Sequence, residues 1–138
     1  IRYLVARYDG SHLYPADAQE RARIDQWLDW QPSELNRSWS YPLMSLVRKS
    51  PDYQDPEALA AGCRAWSRNM EILDRQLEKT GAYVSGERFS LADIPIGLSV
   101  NRWFETPLKH AHLPAVNAYY ERLSERPGYL LYGRNGTP

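Results

Sequence analysis

Apolar residues recur along this chain at the three- and four-residue spacing of helices, and no segment alternates with a period of two. The first eight residues place Ile1, Leu4, Val5 and Tyr8 on one helical face. Asp9-Gly10-Ser11 ends that segment, with Gly10 suited to the turn after a helix, and residues 12–15 form a short extended link. Asp17 with Glu20 three residues on is a capping box. The pattern from there predicts a long helix to about Ser50. Ile24, Trp27, Leu28, Gln31, Leu35, Trp39 and Leu46 share one face, while Trp30, Tyr41 and Met44 project from roughly the opposite side. A helix with two apolar faces contacts two things. Pro32 and Pro42 each remove an internal hydrogen bond, so a bent helix or two consecutive segments is expected.

Residues 50–54 read as a loop. Asp55 caps the next helix, with Pro56 at its first position and Glu57 in its first turn. Leu59, Cys63, Trp66, Met70, Leu73 and Leu77 then form one apolar stripe that ends at Gly81. After a connector comes the run Gly86-Glu87-Arg88-Phe89-Ser90-Leu91-Ala92-Asp93-Ile94, which is a helix start. Ser90 is expected to cap the N–H of Asp93, and the Asp93 carboxylate to reach back to the N–H of Ser90. Phe89 and Ile94 are placed for a hydrophobic staple, and Gly86 frees the chain to turn into the cap. Ile94, Ile96, Leu98, Val100, Trp103 and Phe104 point in every direction, so this helix is expected in the middle of the domain. Thr106-Pro107 closes it. A fifth helix, residues 115–124, carries Val116, Tyr119, Tyr120 and Leu123; Arg126-Pro127-Gly128 breaks it before one more turn at 129–132. The polar tail from Gly133 is expected to fray. The fold class is all-α, a helical bundle.

The 138 residues suit one domain. Lysine and arginine balance aspartate and glutamate at 17 each, which argues against a nucleic-acid partner held by bulk charge. No apolar run reaches membrane-spanning length and no secretory signal opens the chain, so no membrane partner is expected. The single cysteine cannot form an internal disulfide, and a reducing cytoplasm is its natural home. Ile1 opens directly into a helical pattern with no initiator Met, from which an upstream portion is expected to be missing.

Candidate chemistry is sparse. His110 and His112 lack the spacing of a zinc site, so no metal ligand is assigned. Cys63 lies in an apolar stripe and reads as a structural thiol. No carboxylate pair, phosphate loop or nucleophile elbow stands out, and no catalytic residue is assigned. Asn101 and Arg102 lie on the central helix, where a buried arginine needs a partner or serves as an anion contact at a cleft. Trp39, Tyr41, Met44, Trp103 and Phe104 exceed what one core stripe needs; they pack between helices or wall a pocket for an apolar ligand.

Four stretches in order carry a resemblance: residues 1–8 with Leu13-Tyr14-Pro15, residues 21–30, Gly86 to Ile94 with Ser90 and Asp93, and Leu113-Pro114-Ala115-Val116 through Arg126-Pro127. Together the chain resembles the C-terminal helical domain of cytosolic glutathione transferases, most like bacterial and theta-like members. The resemblance implies that residues 1–15 are the last helix of the family's thioredoxin-like domain and its linker, and that residues 16–138 are the C-terminal helical domain. It implies a parent enzyme conjugating glutathione, its co-substrate, to hydrophobic electrophiles. The Ser, Tyr or Cys that stabilises the thiolate would lie upstream, and no cofactor is expected on this fragment. What these residues would supply is the helical wall of the electrophile pocket and part of a homodimer interface, formed by the helices that start at Asp17 and Asp55.

Asn36 and Trp39 fall three apart on one side of the long helix, whereas Trp103 and Phe104 are adjacent and cannot both face the core. The expected substrate-binding set is therefore Asn36, Trp39, Trp103 and Phe104, with Trp39 and Trp103 lining the pocket and Asn36 its polar edge. The alternative is a transferase-like binding or scaffold module without turnover, as in translation-factor and chaperone relatives. An unrelated helical bundle is a third reading.

Overall fold

A computed structural model describes residues 1–138. Seven α-helices run in the order α1 (Arg2–Arg7), α2 (Ala18–Trp30), α3 (Asn36–Pro42), α4 (Pro56–Thr80), α5 (Asp93–Glu105), α6 (Pro114–Ser124) and α7 (Pro127–Tyr132). There is no strand; the only β-type pairing joins Tyr83 and Gly86 across a tight turn. The all-α expectation holds.

The predicted long helix is real, and its prolines are absorbed rather than breaking it. A π turn at Gln31–Leu35 links α2 to α3, and a second at Leu43–Val47 extends α3. A wider turn re-pairs backbone groups that a proline leaves without a donor. The Ser33 hydroxyl donates to the Asp29 carbonyl at 2.7 Å, and that of Ser38 to the Leu35 carbonyl at 2.7 Å, so loosened carbonyls regain partners. Gly62 of α4 lies against Pro42: a Cβ there would come within 2.8 Å of the proline ring. The kinked segment and α4 therefore meet at backbone distance.

Asp17 and Asp55 cap α2 and α4 as expected, accepting from the backbone N–H of Glu20 and Glu57, each at 2.9 Å. Gly81 ends α4 in the left-handed conformation, φ 78°. At the first turn of the chain the roles differ from the expectation. Asp9 takes the positive φ, 52°, while Gly10 is needed because a Cβ there would meet the Val5 side chain at 2.8 Å.

α4 packs against α3 and α6, and α5 lies between α2 and α6. The core gathers Leu35, Trp66, Met70, Leu73, Ile96, Val100, Trp103, Val116, Tyr119 and Leu123, each fully buried. The Trp66 and Trp103 rings meet edge to face at 5.1 Å. Cys63 is half-buried, and burial pushes its thiol up from its ordinary value against a smaller opposite pull from Arg64. The α5 helix is central but not apolar on every side: Ile94 and Leu98, one turn apart, are 39% and 40% exposed. The tail does not fray as expected. Asn101 Nδ2 donates to the Thr137 carbonyl at 2.8 Å, and Arg134 pairs with Glu121 at 2.9 Å.

The start of α5 is tied by one carboxylate. Asp93 Oδ2 accepts the Ser90 N–H and the Ser90 hydroxyl, both at 2.8 Å; Oδ1 accepts the Val84 N–H at 3.0 Å and the Tyr119 hydroxyl at 2.9 Å. Half of the predicted box is present. The Ser90 hydroxyl donates to the carboxylate instead of accepting from the Asp93 N–H, which bonds the Ser90 carbonyl at 3.1 Å. The shorter Asp side chain draws the turn tight, and the serine follows the charge. Phe89 stands edge-on to Tyr83 at 5.6 Å and under Arg126 at 3.7 Å. A different aspartate does for α6 what no residue of its own does: Asp74 of α4 accepts the Val116 N–H at 2.9 Å.

Burial pushes the Asp93 carboxyl above its ordinary value, against four donors that favour the ionised form. Removing it leaves two buried N–H groups and the Tyr119 hydroxyl unpaired. Asp93→Ala should therefore cost roughly 3–5 kcal/mol in urea unfolding, beyond an exposed cap loss, and Ser90→Ala about 1–2 kcal/mol, with the pair less than additive. The native state holds the Asp93 proton more tightly than the unfolded chain. The protonated carboxyl thus contributes stability that is fully present below the ordinary Asp value and is lost as pH rises through the raised one. The wild-type advantage over Asp93→Ala should narrow from acid toward neutral pH.

Candidate functional site

The two π turns bracket the predicted site. The first delivers Asn36 and Trp39, and the second ends immediately before Arg48. Asn36 Oδ1 is a double acceptor, taking the Trp39 indole N–H at 3.0 Å and Gln31 Nε2–H at 2.8 Å. Gln31 Nε2 also donates to the Ser99 hydroxyl oxygen of α5 at 3.0 Å. Asn36 thus holds the indole in orientation, and Gln31 ties both to the central helix. The Arg102 guanidinium lies over the Trp39 ring, 4.4 Å from its centroid. Its Nε is buried with no acceptor, and no carboxylate forms an ion pair with Arg102 or Arg48. Burial first, and the Arg48 charge second, pull the Arg102 pKa down from its ordinary value. The result is a half-buried aromatic plate with an uncompensated cation on it.

Two predicted residues lie elsewhere. Trp103 is fully buried, edge-on to Trp66 at 5.1 Å and to His110 at 5.0 Å, so it belongs to the core and not to a pocket wall. Phe104 is the partly exposed member of the pair, tilted on Tyr120 at 4.6 Å. It stands two positions from Arg102, about 200° around the helix, so it faces α6 and not the α3 side. The structure brings together Asn36, Trp39 and Arg102 and separates Phe104 from them. Gln31 and Ser99 were not among the predicted site residues. The available signal was Gln31 itself, a polar side chain within an apolar stripe.

No group of three or more His, Cys, Asp or Glu side chains converges. His110 Nε2–H donates to the Trp103 carbonyl at 2.7 Å. A groove of about 630 Å³ runs past Leu13, Phe89, Ile94, Leu98, Tyr129 and Tyr132, and Trp39 does not line it. Its floor is the outward stripe of α5. The groove marks an apolar face, and the half-buried Trp39–Arg102 set marks the polar chemistry.

The profile of the family described as "Glutathione S-transferase, C-terminal domain" matches residues 40–127. The chain belongs to the glutathione S-transferase family. It is 32% identical over 127 residues to glutathione S-transferase GstB of Escherichia coli K12, covering 92% of this chain and 61% of that protein. It is 30% identical over 144 residues to mouse glutathione S-transferase theta-1, covering 96% of this chain and 57% of that protein. Thus the chain spans about three-fifths of the length of these relatives. The theta class glutathione S-transferase of Xanthomonas axonopodis pv. citri, apo form, superposes with a TM-score of 0.87 at 34% identity, over 96% of this chain and 68% of the other. Its glutathione-bound form superposes with a TM-score of 0.84 at 35% identity, over 94% of this chain and 67% of the other. The resemblance read from the four sequence stretches is therefore established for family and fold. No helix of this glutathione S-transferase domain is long and apolar enough to cross a membrane.

Core and surface roles separate cleanly in unfolding. Trp103→Ala should cost about 3–5 kcal/mol, the scale of emptying a packed tryptophan site. Trp39→Ala should cost no more than about 1–2 kcal/mol, since it loses a half-exposed plate and one indole hydrogen bond. Comparable losses in denaturant melts of the two variants would return Trp39 to the core.

Proposed function

We propose that this chain is the helical part of a cytoplasmic glutathione transferase, and that its α3–α5 side walls the site where a hydrophobic electrophile meets glutathione. The observation that carries this is the superposition, over nearly all of the chain, on a theta class transferase with glutathione bound. In the reaction the glutathione thiol loses its proton to solvent. The thiolate sulfur attacks the electrophilic carbon, a C–S bond forms, and a leaving group such as chloride departs with its electron pair. This chain's residues do not activate the thiol. Trp39, oriented by Asn36, offers an apolar plate to the electrophile, and Phe104 lies on another side of the central helix.

We further propose that residues 1–15 belong to a thioredoxin-like domain and its linker. Exposure supports this: Ile1, Leu4 and Tyr8 of the α1 segment are 52%, 57% and 74% exposed, an apolar face with nothing on it. The large groove over Ile94 and Leu98 is a second such face. The full-length protein should conjugate glutathione to 1-chloro-2,4-dinitrobenzene well above the uncatalysed rate, followed by thioether absorbance. The 138-residue piece alone should not. A full-length protein that binds glutathione without turning over any electrophile would favour the scaffold reading instead.

The same reading assigns a homodimer, with the α2–α3 path and α4 packing across a two-fold axis. Trp30, Tyr41, Met44 and Leu59 are only half-buried on these helices, and Ile72 of α4 is 38% exposed. Sedimentation equilibrium of the full-length protein should give twice the chain mass; a strict monomer at high concentration would refute the interface.

A further inference from the structure

The cation over Trp39 is a charged group near the proposed pocket that no carboxylate neutralises. A structural arginine at a helix–helix contact ordinarily finds a carboxylate or a set of carbonyls, because burying it unpaired is costly. Other arginines here do so. Arg2 pairs with Asp25 at 2.8 Å, Arg122 donates to the Ala82 carbonyl at 2.7 Å, and Arg134 pairs with Glu121 at 2.9 Å. Arg102 has only the Trp39 face. Its Nε is shut away from water without an acceptor. The second positive charge acting on it, Arg48, stands at the end of the second π turn, and neither has a counter-ion.

A half-buried cation on an aromatic plate, with no carboxylate to neutralise it, is the chemistry that receives an anion attached to a flat or apolar body. The body stacks or lies on the indole, and the anion takes the guanidinium fork. Arginine suits this because it stacks on an aromatic ring and presents parallel N–H donors at once. We propose that Arg102, aided by Arg48, is a specificity-determining residue that selects electrophiles bearing a negative group such as a carboxylate or sulfonate. This rests on the reading of the Trp39 side as the electrophile wall. Arg102 touches the substrate's anion and not the reacting atoms, so it acts on selection and not on the chemical step.

The test uses the full-length protein and two electrophiles that differ only in charge, 4-chloro-3,5-dinitrobenzoate and its methyl ester. In each, the glutathione thiolate forms the C–S bond at C4 and chloride leaves with the electron pair. Wild type should show the higher kcat/KM for the carboxylate. Arg102→Gln should lower kcat/KM for the carboxylate about ten- to a hundred-fold more than for the ester, the range of a charge-assisted hydrogen bond. The loss should fall mainly in KM. Arg102→Lys should recover part of it, and Arg48→Gln should cost the carboxylate a few-fold, about the effect of an exposed charge. Equal losses on both electrophiles, or no carboxylate preference in wild type, would overturn the proposal. Calorimetric binding of 3,5-dinitrobenzoate against methyl 3,5-dinitrobenzoate gives the same comparison without turnover. If neither chloride is conjugated, the transferase reading falls while the binding ratio still decides the anion site. If Arg102→Gln does not fold, Arg48→Gln and Arg102→Lys carry the comparison: a carboxylate-selective loss supports the site and none overturns it.

Discussion

The Asp93 carboxylate is the constraint from which the domain is assembled. It gathers donors from the segment after α4, from the turn entering α5, and from the core face of α6. A buried charge costs free energy unless its acceptor sites are filled. Here they are filled only when those three parts of the chain stand in one arrangement. Asp74 on α4 repeats the device by capping α6. Two aspartates thus orient α6 against α4 and α5, and the Trp66–Trp103 contact lies in the same core.

The long helical path from α2 to the second π turn works under the opposite condition. Its polar ties are single and scattered, such as Gln31 to Ser99 and Asn69 to the Glu34 carbonyl, and two prolines disturb it. Its continuity comes from wider turns, serine hydroxyls on loosened carbonyls and the close approach of Gly62 to Pro42. The side chains that give the molecule its chemistry lie next to these turns. Gln31 opens the first, Asn36 follows it, and Arg48 follows the second. Asn36 and Gln31 then hold the Trp39 indole in one orientation.

Most of the architecture was legible because helix periodicity, caps and breakers are local. The α4 stripe through Trp66, Met70, Leu73 and Leu77 is buried as its spacing required, and both aspartate caps form. The family was legible from motif order. What escaped depends on long-range partners. Trp103 and Phe104 are adjacent apolar aromatics, and which one is buried is decided by Trp66 of α4 and Tyr120 of α6, not by their neighbours in sequence. The Ser90 hydroxyl was placed by a motif and then redirected by the charge beside it. Arg102 could be singled out as a buried cation, but only the fold lays it on Trp39.

The two π turns also bear on how such a domain can diverge. Each accommodates one residue more than an α turn spanning the same rise, so a single-residue deletion within it can restore regular α winding without breaking the helix. The wider turn has already taken up the extra residue, so such a change would leave the residues beyond it on the faces they now hold. Asn36, Trp39 and Arg48 would keep their places, and only the residues within the turn would change. A lineage built on this path could gain or lose a residue beside its exposed wall with the core beyond it undisturbed.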